Sequence, residues 1–202
     1  MAREVIDLPE STLLPRARAG DGKAMEALFR RHQAAIHQLV YRMLHGAPET
    51  EDLVQDVFLK AFRGLPDFKG QSSFKTWLYQ IATHHCLNHL ARAERRFVHE
   101  SLETPAEDPS ATPLGERLPA SSPGPEEAVA QAELRSRIEA AIAQLAPDYR
   151  AVLVLRDIQD LSYEEIAETL GLQLGTVKSR LARARKQVQA WLGDLRDETS
   201  RL

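Results

Sequence analysis

The stretch from Leu161 to Val188, LSYEEIAETLGLQLGTVKSRLARARKQV, constrains this chain most, because little except two helices meeting at a glycine satisfies it. Ser162 stands three residues before Glu165, the spacing at which a hydroxyl and a carboxylate each cap the other's backbone and start a helix. Leu161, Ile166 and Leu170 supply an apolar stripe, and Ala167 is the small residue where a second helix can come close. Gly171 stops the first helix, since so tight a turn needs positive φ. The second helix carries Thr176, Lys178, Ser179, Arg180, Arg183, Arg185 and Lys186, and no acid falls between Thr169 and Gly193. A helix-turn-helix with a basic, hydroxyl-bearing second helix is what a reader of the DNA major groove needs. An ordinary helical hairpin with a solvated basic face is the plainer alternative. The capping box, the small residue, the glycine turn and the charge asymmetry together favour DNA.

The rest of the chain is compatible with such a role. Its 202 residues suit one large or two small domains, and 43% hydrophobic with 27% charged residues is the balance of a soluble globular protein. No eighteen apolar residues run together, so no membrane insertion is expected. The opening MAREVIDLPESTL has no apolar core and does not read as a signal peptide. A lone cysteine, Cys86, cannot form an internal disulfide, which fits a reducing cytoplasm. The net charge of −3 does not exclude nucleic acid, because local fields rather than the sum govern DNA affinity.

Taken in order, Asp21 to His45 reads as one amphipathic helix with Leu28, Ile36, Leu39, Val40, Met43 and Leu44 inward. A second helix in APETEDLVQDVFLKAF has Pro48 in its first turn and acids at its N-terminal end, where the helix dipole favours them. It buries Leu53, Val54, Val57, Phe58, Ala61 and Phe62, and leaves Asp52, Gln55 and Asp56 on the other side. Asp67 to Phe74 is a loop in which Ser72 or Ser73 can cap the long helix that follows. That helix holds Trp77 and Tyr79 and ends in Arg92, Arg95 and Arg96. Aromatics beside a basic end can stack on unpaired bases, although Trp77, Leu78 and Ile81 also suit a core. Phe97 to Ala130 contains six prolines and seven acids against one arginine, a composition expected to form a flexible acidic linker. Beyond it, Glu127 to Leu145 is helical with Leu134, Ile138, Ala141, Ile142 and Leu145 as its stripe. Pro147 then opens the helix leading to the helix-turn-helix.

Catalytic signatures are missing from the sequence. It has no glycine-rich phosphate loop, GxSxG, HExxH or CxxC, so a binding protein without cofactor is expected rather than an enzyme. HHCLNH invites a metal reading, with His85 and His89 on one helical face. Cys86 points about 100° away from His85, however, and no further ligands follow at a recognisable spacing, so no metal site is expected.

Together, EDLVQDVFLKAF, FKGQSSFKTWLYQIA and LAPDYRAVLVLRDIQDLSYEEIAETLGLQLGTVKSRLARAR resemble a bacterial RNA polymerase sigma factor of the extracytoplasmic-function (group 4) type, in the sigma-70 family. The resemblance implies an all-α chain of two small helical domains. These are a sigma-2 domain over 20–96 and a sigma-4 domain over 127–195, joined by a flexible, acidic, Pro-rich linker over 97–126. Residues 1–19 would be an N-terminal extension and 196–202 a tail. It also implies that Asp52, Gln55 and Asp56 dock on the β′ clamp helices of core RNA polymerase. Lys69, Gly70, Gln71, Ser72 and Ser73 would capture a flipped base of the −10 element, with Asn88 at that pocket, Trp77 and Tyr79 on the melting helix, and Arg92, Arg95 and Arg96 on phosphates. Thr176, Lys178, Ser179, Arg180 and Arg183 would read the −35 element. The implied partners are core polymerase (β′ clamp helices and β flap), promoter DNA and an anti-sigma factor, in the cytoplasm. His84 stands where the family commonly has asparagine, and Ala182 where a larger side chain is common. Both departures bear on promoter sequence rather than function class. A stand-alone regulator using the same helix-turn-helix is the competing reading; it predicts tight binding to a palindrome without polymerase.

Overall fold

The computed structural model describes residues 8–101 and 125–199, with side chains described over 8–96 and 131–193. Among these residues the only regular structure is helical, and it forms two bundles. The first contains α1 (Glu10–Arg18), α2 (Gly22–Leu44), α3 (Thr50–Gly64), a 3₁₀ turn (Leu65–Asp67) and α4 (Phe74–Ser101). The second contains α5 (Pro125–Ala143), α6 (Pro147–Leu153) running into a π-helical turn (Val154–Ile158), α7 (Tyr163–Leu170) and α8 (Leu174–Thr199).

Helix α2 is the axis of the first bundle, touching α1, α3 and α4. It starts where the Asp21 carboxylate accepts from the backbone N–H groups of Lys23 and Ala24, and stops where His45 turns into the left-handed region at φ 58°. The inward residues read from its periodicity are all buried. Helix α3 begins at Thr50, after Pro48, because the Thr50 hydroxyl donates to the Ala47 carbonyl and closes a turn there first. Ser73 is the serine that caps α4: its Oγ accepts from Thr76 N–H at 3.0 Å.

Helix α1 falls in the stretch that the sequence presented as an extension outside the family match. It is part of the bundle, with Leu13 and Ala17 buried against α2 and Glu10 bonded to the His32 ring at 2.8 Å. The signal was faint because two apolar residues four apart are no stripe, and Pro15 forfeits one intrahelical hydrogen bond. Leu134, expected in the core, is instead 55% exposed. Residues 131–136 are all exposed, and among the described side chains α5 packs from Ile138 onward. The acidic linker read from composition falls mostly at 102–124, outside the described residues, as do residues 200–202 of the tail. At its near end α4 runs on to Ser101, and at its far end α5 opens on Pro125, a residue suited to a first helical position.

The two bundles are packed together, with α4 against α7 and α2 against α5 and α6. At the seam the buried Arg150 guanidinium of α6 donates to the carbonyl of Met43 at the end of α2. It also donates to those of Ala143, the last residue of α5, and Leu145, in the turn that follows, at 3.0 and 2.7 Å.

Candidate nucleic-acid interface

The helix-turn-helix forms as its residues dictate. Ser162 Oγ accepts from Glu165 N–H at 3.1 Å, and the Glu165 carboxylate accepts from Ser162 N–H at 2.8 Å. These bonds hold the Glu165 carboxyl below its ordinary pKa. Gly171 takes φ 64°, and α8 starts three residues later. Val177, Leu181 and Ala184 face inward. Lys178, Ser179 and Arg183 are exposed on the outer side, and neither Lys178 nor Arg183 has an ion-pair partner among the described residues.

The basic face is narrower than the sequence implied. Arg180 is half-buried and pairs with Asp148 of α6 at 3.1 Å, and Arg185 forms a two-pronged pair with Asp157, one bond at 3.0 Å. Their acids come from an earlier helix, so the acid-free run in α8 did not disclose them. Thr176 is half-buried, and its carbonyl accepts from the Ser179 hydroxyl at 3.0 Å.

In the first bundle, Asp52, Gln55 and Asp56 are exposed side by side on α3, and Leu59, one turn on, is 51% exposed. Sequence reasoning passed over Leu59, whose signal was its spacing: three, four and seven residues from the three polar groups. Behind Asp56 lies His85, 3.4 Å from its carboxylate, and Lys60 donates to His85 Nδ1 at 2.6 Å. The neutral ring therefore carries its proton on Nε2, toward Asp56. Burial, with the Lys60 cation second, lowers the His85 pKa from 6.5. Removing that cation with Lys60→Met is expected to raise it, read as an upward shift of the His85 ring titration by NMR. A titration that stays put would mean Lys60 does not touch the ring in solution.

The loop residues Lys69, Gly70, Gln71 and Ser73 are exposed and Ser72 half-buried, with Gly70 at φ 70°. Trp77 packs on the rings of Phe68 and Phe74, at 4.9 and 5.8 Å between centroids, and keeps part of its edge accessible. Asn88 is exposed on a cleft of about 380 Å³ lined also by Lys60, Trp77, His84 and His85. No residue of the 69–73 loop lines that cleft, so Asn88 and the loop do not share one pocket here. Arg92, Arg95 and Arg96 are exposed. Tyr79 is placed differently: it is 2% exposed, burial pushes its phenol up to about 12, and its Oη donates to Gln159 Oε1 of the second bundle at 2.7 Å. Cys86 is buried in the first bundle while His84 is exposed on its surface. Among the described residues no three His, Cys, Asp or Glu side chains converge as metal ligands would.

Residues 28–96 match sigma-70 region 2, and residues 135–188 match sigma-70 region 4. Over 186 residues the chain is 36% identical to the RNA polymerase sigma-H factor of Pseudomonas aeruginosa, a span covering 92% of this chain and 95% of that one. It is equally 36% identical, over 181 residues, to the ECF RNA polymerase sigma-E factor of Escherichia coli, covering 90% and 93% of the two chains. The chain is an extracytoplasmic-function sigma factor of the sigma-70 family.

Solved structures agree with this sigma factor's fold. CnrH in complex with the cytosolic domain of CnrY superposes at a TM-score of 0.63, with 27% identity, covering 91% of this chain and 96% of that one. The sigma factor RpoE of Bartonella quintana, in complex with the anti-sigma factor NepR, gives 0.63 with 25% identity, covering 85% and 98%. The sigma factor thus directs promoter-specific transcription initiation with core RNA polymerase, its region 2 serving the −10 element and its region 4 the −35 element. No helix among the described residues is long and apolar enough to cross a membrane.

Proposed function

We propose that the sigma factor divides its work among three surfaces. Asp52, Gln55 and Asp56 dock on the β′ clamp helices, with Leu59 as an apolar contact at the edge. Lys69, Gly70, Gln71, Ser72 and Ser73 take up an extruded base of the −10 element, and Trp77 presents its accessible part to the strand, whereas Tyr79, buried with its hydroxyl on Gln159, supports α4 rather than stacking. Asn88 meets the strand from the cleft farther along α4, and Arg92, Arg95 and Arg96 hold phosphates. Thr176, Lys178, Ser179, Arg180 and Arg183 read the −35 element, and the second domain also meets the β flap.

The observation that carries the docking reading is an acidic, amide-bearing row left fully outside a helix whose other face is buried. Among the described residues Asp56 meets only His85, at 3.4 Å, and Asp52 and Gln55 have no bonded partner, whereas a basic partner surface would use all three to speed encounter and fix register. Melting without ATP then follows from preferential binding to the open strand, since stacking contributes about 1–3 kcal/mol per base. Two solved relatives are complexes with the cytosolic domain of CnrY and with an anti-sigma factor, NepR, which supports an anti-sigma partner for this protein and a cytoplasmic site of action.

The test is association of the purified protein with bacterial core RNA polymerase, alone and as Gln55→Ala with Asp56→Ala. Affinity is expected to fall about tenfold, more at low salt than at high, with the thermal stability little changed because both side chains are exposed and only the 3.4 Å contact of Asp56 with His85 is lost. Wild-type and variant binding alike would remove the docking face. No association at all, with tight binding of a palindromic DNA by the protein alone, would favour the stand-alone regulator.

A further inference from the structure

The loop from Lys69 to Ser73 is held by its ends rather than along its length. Among the described residues the side chains of Lys69, Gln71 and Ser72 make no hydrogen bond, and Ser73 turns its hydroxyl back onto Thr76 of α4. The loop is flanked by Phe68 and Phe74, both buried, whose rings meet T-shaped at 6.1 Å between centroids. Helix α1, which lies outside the stretch matched to region 2, reaches both flanks. Its first residue, Glu10, accepts from His32 Nε2–H at 2.8 Å, and the His32 ring packs T-shaped against Phe74 at 5.3 Å. Its last residue, Arg18, donates to the carbonyl of Pro66, just ahead of Phe68, at 3.3 Å. Between the two, Leu13 and Ala17 are buried, and α1 packs on α2 and on the 3₁₀ turn.

We propose that α1 is a brace for the base-capturing loop: through Glu10, His32 and Phe74 on one side, and Arg18 and Pro66 on the other, it fixes both ends of residues 69–73 and sharpens the choice of base. That the loop captures a base rests on the function proposed above; the bracing does not. The His32 side chain is only 12% exposed, so its ring N–H needs an acceptor, and Glu10 supplies it. The same bond holds the Glu10 carboxyl below its ordinary pKa. Without that acceptor the ring is free to leave its rotamer, and Phe74 loses a neighbour that fixes it. The Arg18 bond is longer and exposed, so the Glu10 side carries more of the effect. Order then becomes selectivity. A loop already ordered loses less freedom when a base enters, and its polar groups stand at fixed distances, so a wrong base fits worse. Glu10, His32 and Arg18 are therefore positioning residues, acting through the ends of the loop. Their path includes neither the docking row nor α8.

The test is Glu10→Ala with Arg18→Ala in the full chain, beside Glu10→Gln, which keeps an acceptor oxygen for His32. In the free protein the backbone order parameter of Gly70 is expected to fall toward about 0.6 in the double variant, and to stay near the wild type in Glu10→Gln. In the holoenzyme, transcription from promoters randomised across the −10 element is expected to lose about three- to tenfold in base preference at one position, the size of one lost hydrogen bond. Core affinity and −35 preference should be kept. An unchanged order parameter would overturn the brace. So would an even fall across all −10 sequences that tracks lost thermal stability, since α1 would then only support the bundle. A looser loop with every preference intact would overturn the link to base choice. Gln71→Ala, inside the loop, separates this proposal from the one beneath it. If that variant alters no −10 preference, base capture by the loop fails, while the Gly70 order parameter still decides whether α1 braces it.

Discussion

Arg150→Met is expected to lower the stability of the folded protein by about 2–4 kcal/mol, a fall in melting temperature of roughly 4–16 °C for a chain of this size. The side chain is buried, and its guanidinium donates to three backbone carbonyls, of Met43, Ala143 and Leu145. Met43 and Ala143 lie in the last turns of their helices, where carbonyls have no partner within their own helix, and Leu145 lies in the turn just after α5. One cation thereby closes the end of α2 and the end of α5 at once. Methionine keeps an apolar stem of similar length, so the packing loss is small and the deficit measures the orphaned carbonyls. There is an opposing term. Desolvation already lowers the Arg150 pKa to about 10, and removing a buried charge recovers part of that cost. The carbonyls should win, because three charge-assisted bonds are lost together and the buried acceptors then lack water. Arg150→Lys should recover only part of the stability, since an ammonium lacks the planar fork. Chemical denaturation of the two variants checks both statements, and a methionine variant as stable as the wild type would show that the seam does not depend on this group.

What the sequence disclosed and what it withheld divide along one line. Features carried by neighbours in sequence were legible: the Ser162–Glu165 box, the αL glycine at 171 and the inward faces of α2 and α3. Each needs only residues within a turn or two of one another. Features made by residues far apart were not. Tyr79 reads as an aromatic on a basic helix, and its burial depends on Gln159, eighty positions away. Arg180 and Arg185 read as members of one basic face until Asp148 and Asp157 arrive from α6 and the turn after it. Leu134 has a core residue's spacing and lacks only a neighbour to pack on. The surfaces proposed for function lie on the legible side because they are rows on single helices. The Tyr79–Gln159 contact lies on the other because it is tertiary.

The same contrast sets the last expectation, for the −35 element. Arg183→Ala is expected to weaken region 4 binding by about 1–3 kcal/mol, roughly 5- to 150-fold in initiation from a cognate promoter, with loss of discrimination confined to one or two base positions. Arg183 is exposed and has no ion-pair partner among the described residues, so its planar fork is free to take both O6 and N7 of a guanine. Lys178→Ala should cost less and act evenly across sequences if it meets a phosphate, with a shallower salt dependence as its mark. Arg180 is the control. Its pair with Asp148 ties α8 to α6, so Arg180→Ala should act partly through the seating of the helix. Asp148→Asn should then reproduce part of its effect, and it should leave Arg183→Ala untouched. Transcription in vitro from promoters randomised across the −35 element separates these cases. If Arg183→Ala initiates as well as the wild type on every sequence, this arginine does not read the element. If Asp148→Asn mimics it base for base, specificity lies in how α8 is held rather than in that side chain.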